Sequence, residues 1–103
     1  MQSLREVRVE RALREAAKNA GGIAMKFVSP GLFGAPDRIV VLPGGLVCFV
    51  EVKAPGERPR PSQRYVLRRL YLLGAHTATV DNERTARRLV ALLRRRGDAV
   101  FSA

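Results

Sequence analysis

The sequence predicts one α/β domain in which helices flank a single mixed β-sheet. Its 103 residues are enough for one ordinary domain and leave no room for a second core. Apolar residues make up 47% of the chain, which is enough for a packed interior. Segments with helical spacing are interspersed with short β-branched segments, and together they predict the element order αβββαβα.

The first helix is predicted from Leu4 to Ala20. Ser3 and Glu6 have the spacing of a capping box, and apolar residues recur at helical intervals until Gly21-Gly22. On a helical wheel, Glu10 falls at the edge of the apolar arc. We therefore expect the Glu10 side chain to point toward the body of the domain.

Three strands are predicted next, over Ile23–Val28, Asp37–Leu42 and Leu46–Lys53. The segment between the first two contains two glycines and two prolines and is predicted to be a loop. Pro43-Gly44-Gly45 predicts a tight hairpin between the second and third strands. Because the third strand is apolar on both faces, it is expected to be the central strand.

The second half of the chain predicts two helices and a further strand. Ser62 is expected to cap the first of these helices, and Gly97 to end the second. The predicted elements are the helix Gln63–Leu73, with Val66, Leu67, Leu70 and Leu73 inward, the strand Ala75–Val80, the helix Glu83–Arg96 and a possible last strand Ala99–Ser102.

The charge of the chain indicates a polyanionic partner. Lys and Arg total 19 against 9 Asp and Glu, which gives a net charge of +10. Sixteen of these basic residues are arginine, whose guanidinium suits bidentate phosphate contacts. The single cysteine, Cys48, excludes an internal disulfide and is expected in the core. The charged N-terminal residues and the absence of a long apolar run argue against secretion and membrane insertion, so a cytoplasmic location is expected.

The predicted hairpin brings acidic residues together. If the strands pair symmetrically about Gly44, Asp37 lies directly opposite Glu51, and Lys53 projects from the same face. Two neighbouring carboxylates repel each other, and a divalent cation such as Mg²⁺ removes that cost. A bulge in the turn would shift this register by one residue and separate the pair.

The residues in this order resemble the VRR-NUC domain, a nuclease branch of the PD-(D/E)XK superfamily. The resemblance covers nearly the whole chain and rests on five features. They are Glu10, Lys26-Phe-Val-Ser-Pro-Gly31, Gly34-Ala-Pro-Asp-Arg38, Phe49-Val-Glu-Val-Lys53 and Gln63.

The resemblance implies a restriction-endonuclease-like core and a DNA endonuclease that depends on Mg²⁺ or Mn²⁺. It implies that Glu10, Asp37, Glu51 and the backbone carbonyl of Val52 hold the cation. Lys53 matches the catalytic lysine, and Gln63 matches a helix residue that supports the site. Members of this size are similar to Holliday-junction resolvases, which implies a homodimer acting on four-way DNA junctions.

Basic and polar residues around the expected cleft are candidates for phosphate contacts. These candidates are Lys26, Ser29, Arg38, Arg60 and Arg64. Each one taken singly is as well explained by a solvated surface position. The excess of positive charge is harder to explain that way, because self-repulsion opposes folding unless a polyanion offsets it.

Simpler interpretations remain open at this point. Glu10 can pair with Arg14 one helical turn away, and Gln63 can serve only to start its helix. Without the resemblance, Glu51 and Lys53 would be a surface ion pair worth less than about 1 kcal/mol. The alternative functions are a branched-DNA binding module without catalysis and a small restriction-type or toxin nuclease.

Overall fold

The structure is a computed structural model that describes residues 2–102, with side chains described for residues 2–96. The predicted order αβββαβα is confirmed, and the observed bounds differ from the predicted ones mainly at the element ends. The elements are α1 (Leu4–Asn19), β1 (Ile23–Lys26), β2 (Arg38–Leu42), β3 (Leu46–Val52), α2 (Pro61–Leu72), β4 (His76–Val80) and α3 (Glu83–Ser102).

The four strands form one mixed sheet in the order β1-β2-β3-β4. β1, β2 and β3 are mutually antiparallel, and β4 pairs with β3 in parallel. Leu42 pairs with Leu46 and Arg38 with Val50, which confirms the symmetric register predicted for the hairpin. Gly44 and Gly45 have φ values of 94° and 76°, a region that side-chain-bearing residues rarely adopt, so the Pro43-Gly44-Gly45 turn requires both glycines.

Helix α1 begins at Leu4, as predicted, and ends at Asn19, one residue before the predicted end at Ala20. The Ser3 hydroxyl accepts a hydrogen bond from the Glu6 amide at 3.1 Å, which satisfies one of the free amides of the first turn. Val9, Leu13 and Ala17 are buried, and their spacing gives α1 the apolar face expected of a helix packed on a sheet.

The core lies between the sheet and the pair of helices α1 and α3. Val40, Val50 and Val52 are buried in the sheet and belong to one cluster with the inward residues of both helices. Cys48 belongs to the same cluster, as predicted. Since Val50 and Val52 point toward α1 and α3, the intervening Glu51 points to the opposite face of β3.

Helix α2 begins two residues earlier than predicted and has Arg60, not Ser62, as its N-cap. Pro61 occupies the first helical position, where the missing amide hydrogen costs nothing. The predicted inward stripe is correct at Val66, which is buried, but wrong at Leu73, which is exposed. Helix α2 contacts the sheet chiefly at β4, and Val66 lies outside the α1/α3 cluster.

Helix α3 runs past the predicted stop at Gly97 to Ser102, so the possible last strand over Ala99–Ser102 is wrong. A glycine inside a helix costs only about 1 kcal/mol relative to alanine, which permits a helix end without enforcing one. Within residues 2–102, none of the helices is long and apolar enough to cross a membrane.

Candidate active site

Asp37, Glu51 and Lys53 meet at one end of the β2–β3 pair. The Val52 amide donates a hydrogen bond to Asp37 Oδ2 at 3.0 Å. The Lys53 Nζ lies 3.4 Å from Glu51 Oε2. Because Arg38 pairs with Val50, continuing the ladder by one residue brings Asp37 beside Glu51. The hairpin register therefore assembles the three side chains that the sequence predicts to be neighbours.

Glu51 is a carboxylate in an unfavourable environment. It is 0% exposed, and neither carboxylate oxygen has a hydrogen-bond partner among the described residues. The pKa of Glu51 is raised to about 7, chiefly by burial and also by the nearby Asp37 charge, while Lys53 offsets part of the rise. A buried carboxylate that has an ion-pair contact at 3.4 Å but no hydrogen bond is rare in folded proteins and calls for an explanation such as an ion.

The donor set at this end of the sheet fits a hard divalent cation. Asp37 and Glu51 supply carboxylate oxygens, the ligand type that Mg²⁺ and Mn²⁺ prefer. Within the described part of the chain, no group of three or more His, Cys, Asp and Glu residues is placed to hold a metal ion. The side-chain ligands that the structure brings together are therefore the two carboxylates.

Glu10 lies away from this pair. Its carboxylate accepts hydrogen bonds from the Arg38 guanidinium and from Gln2 Nε2, the latter at 2.8 Å. Arg38 pairs with Val50 and so points to the sheet face covered by α1, whereas Glu51 points to the other face. The alternative pairing of Glu10 with Arg14 is wrong, because the partner of Glu10 comes from β2.

Gln63 is buried in the first turn of α2. Its Oε1 accepts a hydrogen bond from the Arg60 amide at 2.7 Å. This contact holds the start of the helix, which is the simpler of the two roles considered for Gln63.

The loop that leads into Asp37 rests directly on the start of α2. Gly34 has a φ of +88°, and a Cβ atom placed on it would lie 2.6 Å from the Ser62 carbonyl oxygen and 3.1 Å from the Gln63 amide nitrogen. Only glycine allows this backbone contact. The contact brings the first turn of α2 against the segment that positions Asp37.

The predicted phosphate-contacting residues are spread over three elements. Lys26 is exposed at the end of β1, and Ser29 is half-buried in the following loop. Arg60 and Arg64 are exposed at the start of α2, where the Arg64 guanidinium donates to the Pro59 carbonyl at 3.1 Å. Arg38 is half-buried and bound to Glu10, an interaction that the sequence analysis missed. Its partner depends on how α1 docks on β2, which no local pattern encodes.

Cys48 takes no part in this site. Burial raises the pKa of its thiol to about 11, so it remains a neutral thiol at physiological pH.

Two comparisons with known proteins identify the family of the chain, while no protein-family model matches it. The chain is 47% identical over 83 residues to "Putative nuclease p44" of Acyrthosiphon pisum secondary endosymbiont phage 1, a match that spans 81% of this chain and 89% of the phage protein. A solved structure described as a VRR-NUC domain superposes with a TM-score of 0.80 at 32% identity, covering 86% of this chain and 97% of the other. With its mixed sheet, flanking helices and these relatives, the chain belongs to the family of VRR-NUC nuclease domains.

Proposed function

We propose that the protein is a metal-dependent DNA endonuclease that hydrolyses phosphodiester bonds at the Asp37, Glu51 and Lys53 end of the sheet. The observation that carries this proposal is the buried Glu51 carboxylate, which lacks hydrogen-bond partners and lies beside Asp37 and Lys53. Membership of the nuclease family supports the reaction class.

The contacts of these residues and the family resemblance together support a role for each. Asp37 and Glu51, with the Val52 carbonyl, would hold Mg²⁺ or Mn²⁺. When bound there, the ion supplies Lewis-acid chemistry, in which a phosphodiester oxygen is polarised and the pKa of the attacking water is lowered. The Val52 amide fixes the Asp37 carboxylate by a hydrogen bond. The Lys53 ammonium offsets negative charge that develops on the phosphate.

The roles of Glu10 and Gln63 in this proposal rest on different observations. The family resemblance assigns Glu10 to the metal, while its contacts assign it to Arg38. Gln63 supports the site through the start of α2, which packs on the loop before Asp37. Lys26, Ser29, Arg60 and Arg64 are proposed to contact the DNA backbone around the site.

The proposed substrate is branched DNA, with the four-way junction as the first candidate, cut by a homodimer in the cytoplasm. Symmetric cutting of two strands requires two sites related by a two-fold axis. The sheet face that carries Glu51 also exposes apolar side chains on β1 and β3, with Ile23, Met25 and Val47 exposed by 53%, 43% and 37%. A second copy that covers this face would bring two sites onto one assembly.

The function is tested by cleavage of a labelled four-way junction, a flap and a linear duplex in Mg²⁺, Mn²⁺ and EDTA. Paired symmetric cuts in the junction that disappear in EDTA are expected. Asp37→Asn keeps the shape of the side chain but removes its charge, and a loss of at least ~100-fold in cleavage rate is expected. Lys53→Ala should cause a comparable loss.

Matched controls separate site effects from changes in overall charge. Glu57→Gln and Lys18→Ala remove the same charges at exposed positions and should cleave as the unmodified protein does. Cutting that survives both site substitutions would contradict the proposed site. Tight binding without cutting in Mn²⁺ would instead favour the binding-module function, and cutting of linear duplex would favour a restriction-type nuclease.

Dimerisation is tested separately by light scattering at assay concentration. A dimer mass is expected for the protein, and a monomer mass for Ile23→Lys with Val47→Lys. A monomer mass for the unmodified protein that DNA leaves unchanged would contradict the homodimer.

A further inference from the structure

A groove lined by arginines runs between α1 and α3. We call it the helix groove and define it by Arg5, Arg8 and Arg11 of α1 and Arg84 and Arg87 of α3. It consists of two adjoining depressions that share Arg8 and Glu83. All five arginines are exposed.

The helix groove has a net positive charge even when its acidic residues are counted. Glu15 and Glu83 also line it. Glu83 lies 3.7 Å from Arg87 in an exposed ion pair. The two helices, counted through Arg96, carry eleven Lys and Arg residues against four Glu. The self-repulsion of this surface is costly unless a polyanion lies against it.

One end of the helix groove lies near the end of β3 that carries the candidate active site. This end, beside α1 residues Arg5 and Val9, is lined by Pro55, which follows Lys53 by two residues. Glu10, one residue from Val9, bonds to Arg38 next to Asp37. Because Glu51 faces away from α1 and α3, a polyanion bound at the carboxylates reaches the two helices by passing around this edge of the sheet, beside Pro55.

The residue types that line the helix groove favour nucleic acid over other polyanionic partners. Among the described residues, the helix groove has no aromatic side chain, although aromatic anchors dominate the energetics of protein interfaces. The apolar residues that line it are Val9, Ala12 and Pro55, which offer too little apolar surface for insertion into a membrane. Exposed guanidinium groups in two facing rows are the groups that bind phosphates.

We propose that the helix groove binds the sugar-phosphate backbone of a duplex arm of the DNA that the candidate active site cuts. This inference rests on the proposed function. From Arg5 to Glu15 the groove follows α1 for about 15 Å, a length that matches about four phosphates along one strand. The site and the groove thus form two parts of one DNA-binding surface, which meet at the edge where β3 ends.

The test measures binding of a fluorescein-labelled 30-base-pair duplex and a four-way junction in EDTA over a series of NaCl concentrations. Arg8→Gln with Arg11→Gln removes two charges from the groove. Arg14→Gln with Lys18→Gln removes two charges from the same helix at exposed positions outside the groove. Gln has a helix propensity close to that of Arg and Lys, so both variants should fold.

The groove variant should reduce the slope of log K against log [NaCl] by about 1 to 2, since each phosphate contact contributes about 0.9. Its Kd at 0.1 M NaCl should rise about tenfold. The control variant should keep the slope of the unmodified protein, because Arg14 and Lys18 do not line the helix groove and so make no phosphate contact in the proposed complex. Equal effects of the two variants, or no DNA binding at all, would overturn the proposal.

A second readout locates the DNA directly. Cys48 is buried, so Arg11→Cys creates a uniquely reactive thiol for an iron chelate that cuts nearby DNA backbone. Cuts from Arg11→Cys and none from Lys18→Cys are expected, and the reverse pattern would refute the groove. Both readouts detect binding without metal-dependent cleavage. A cleavage assay that fails while the slope changes as expected would therefore overturn the proposed function alone.

Discussion

Glu10 of α1 and Arg38 of β2 form an ion pair with both side chains largely buried, 14% and 12% exposed. Burial lowers the pKa of Arg38, but an arginine stays charged at any physiological pH. The pair joins α1 to the strand that begins directly after Asp37. Glu10 thus holds the first helix on the sheet, whether or not it also reaches a metal.

The two roles of Glu10 predict different results for Glu10→Gln. Loss of the carboxylate leaves the Arg38 charge poorly compensated, and a loss of about 2 kcal/mol in the free energy of unfolding is expected. If the ion pair is the main role, the metal concentration for half-maximal cleavage should stay unchanged. A large increase in that concentration, with little loss of stability, would show that Glu10 is a metal ligand. Arg38→Gln should lower stability similarly.

The raised pKa of Glu51 predicts a stability that falls as pH rises in metal-free protein. The folded state keeps the Glu51 proton up to pH of about 7, whereas the unfolded chain releases it near its ordinary pKa of about 4.3. Between these values the folded state binds more protons, so the free energy of unfolding decreases with rising pH, by about 3 to 4 kcal/mol in total.

Thermal unfolding in EDTA from pH 4.5 to pH 8 measures this dependence. Glu51→Gln removes the titrating group and should flatten the curve over this interval. If the stability of Glu51→Gln falls equally with rising pH, other titratable groups cause the pH dependence.

Added Mg²⁺ or Mn²⁺ should stabilise the protein, and more at pH 8 than at pH 5.5. The cation binds the ionised carboxylates and must displace a proton from Glu51 at the lower pH. At a concentration of 100 times Kd, the expected gain is about 2.7 kcal/mol. The rise in Tm should vanish in Asp37→Asn and persist in Glu57→Gln. An equal rise in all three proteins would place the binding elsewhere.

Gly34→Ala should destabilise the protein, and Gly31→Ala should not. A Cβ atom at position 34 meets the Ser62 carbonyl at 2.6 Å with φ at +88°, while one at position 31 meets nothing within 4 Å. We expect a loss of about 1 to 3 kcal/mol for Gly34→Ala, equivalent to a Tm decrease of several degrees in a domain of this size. Unchanged Tm values for both variants would contradict the contact between the loop and α2.

The hairpin and its carboxylates could be predicted from the sequence because local chemistry encodes them. Pro43-Gly44-Gly45 sets the turn, the turn sets the register, and the register places Asp37 near Glu51 and Lys53. The ends of α2 and α3 were harder to predict, since Ser62 and Gly97 permit a helix boundary without requiring one. The Glu10 partner could not be predicted, because it depends on how α1 docks on β2. The metal role and the DNA structure that is cut stay predictions.

Asp37, Glu51 and Lys53 all lie within the β2–β3 hairpin and its immediate flanks. Closing a short hairpin costs little chain entropy and is among the fast steps of folding. We therefore expect the two carboxylates to become neighbours early, while water still surrounds them. Their burial has to wait for contacts between distant parts of the chain, including the parallel pairing of β3 with β4, which form more slowly. In this protein the ligands would be assembled first, and the environment that makes them reactive would be added afterwards.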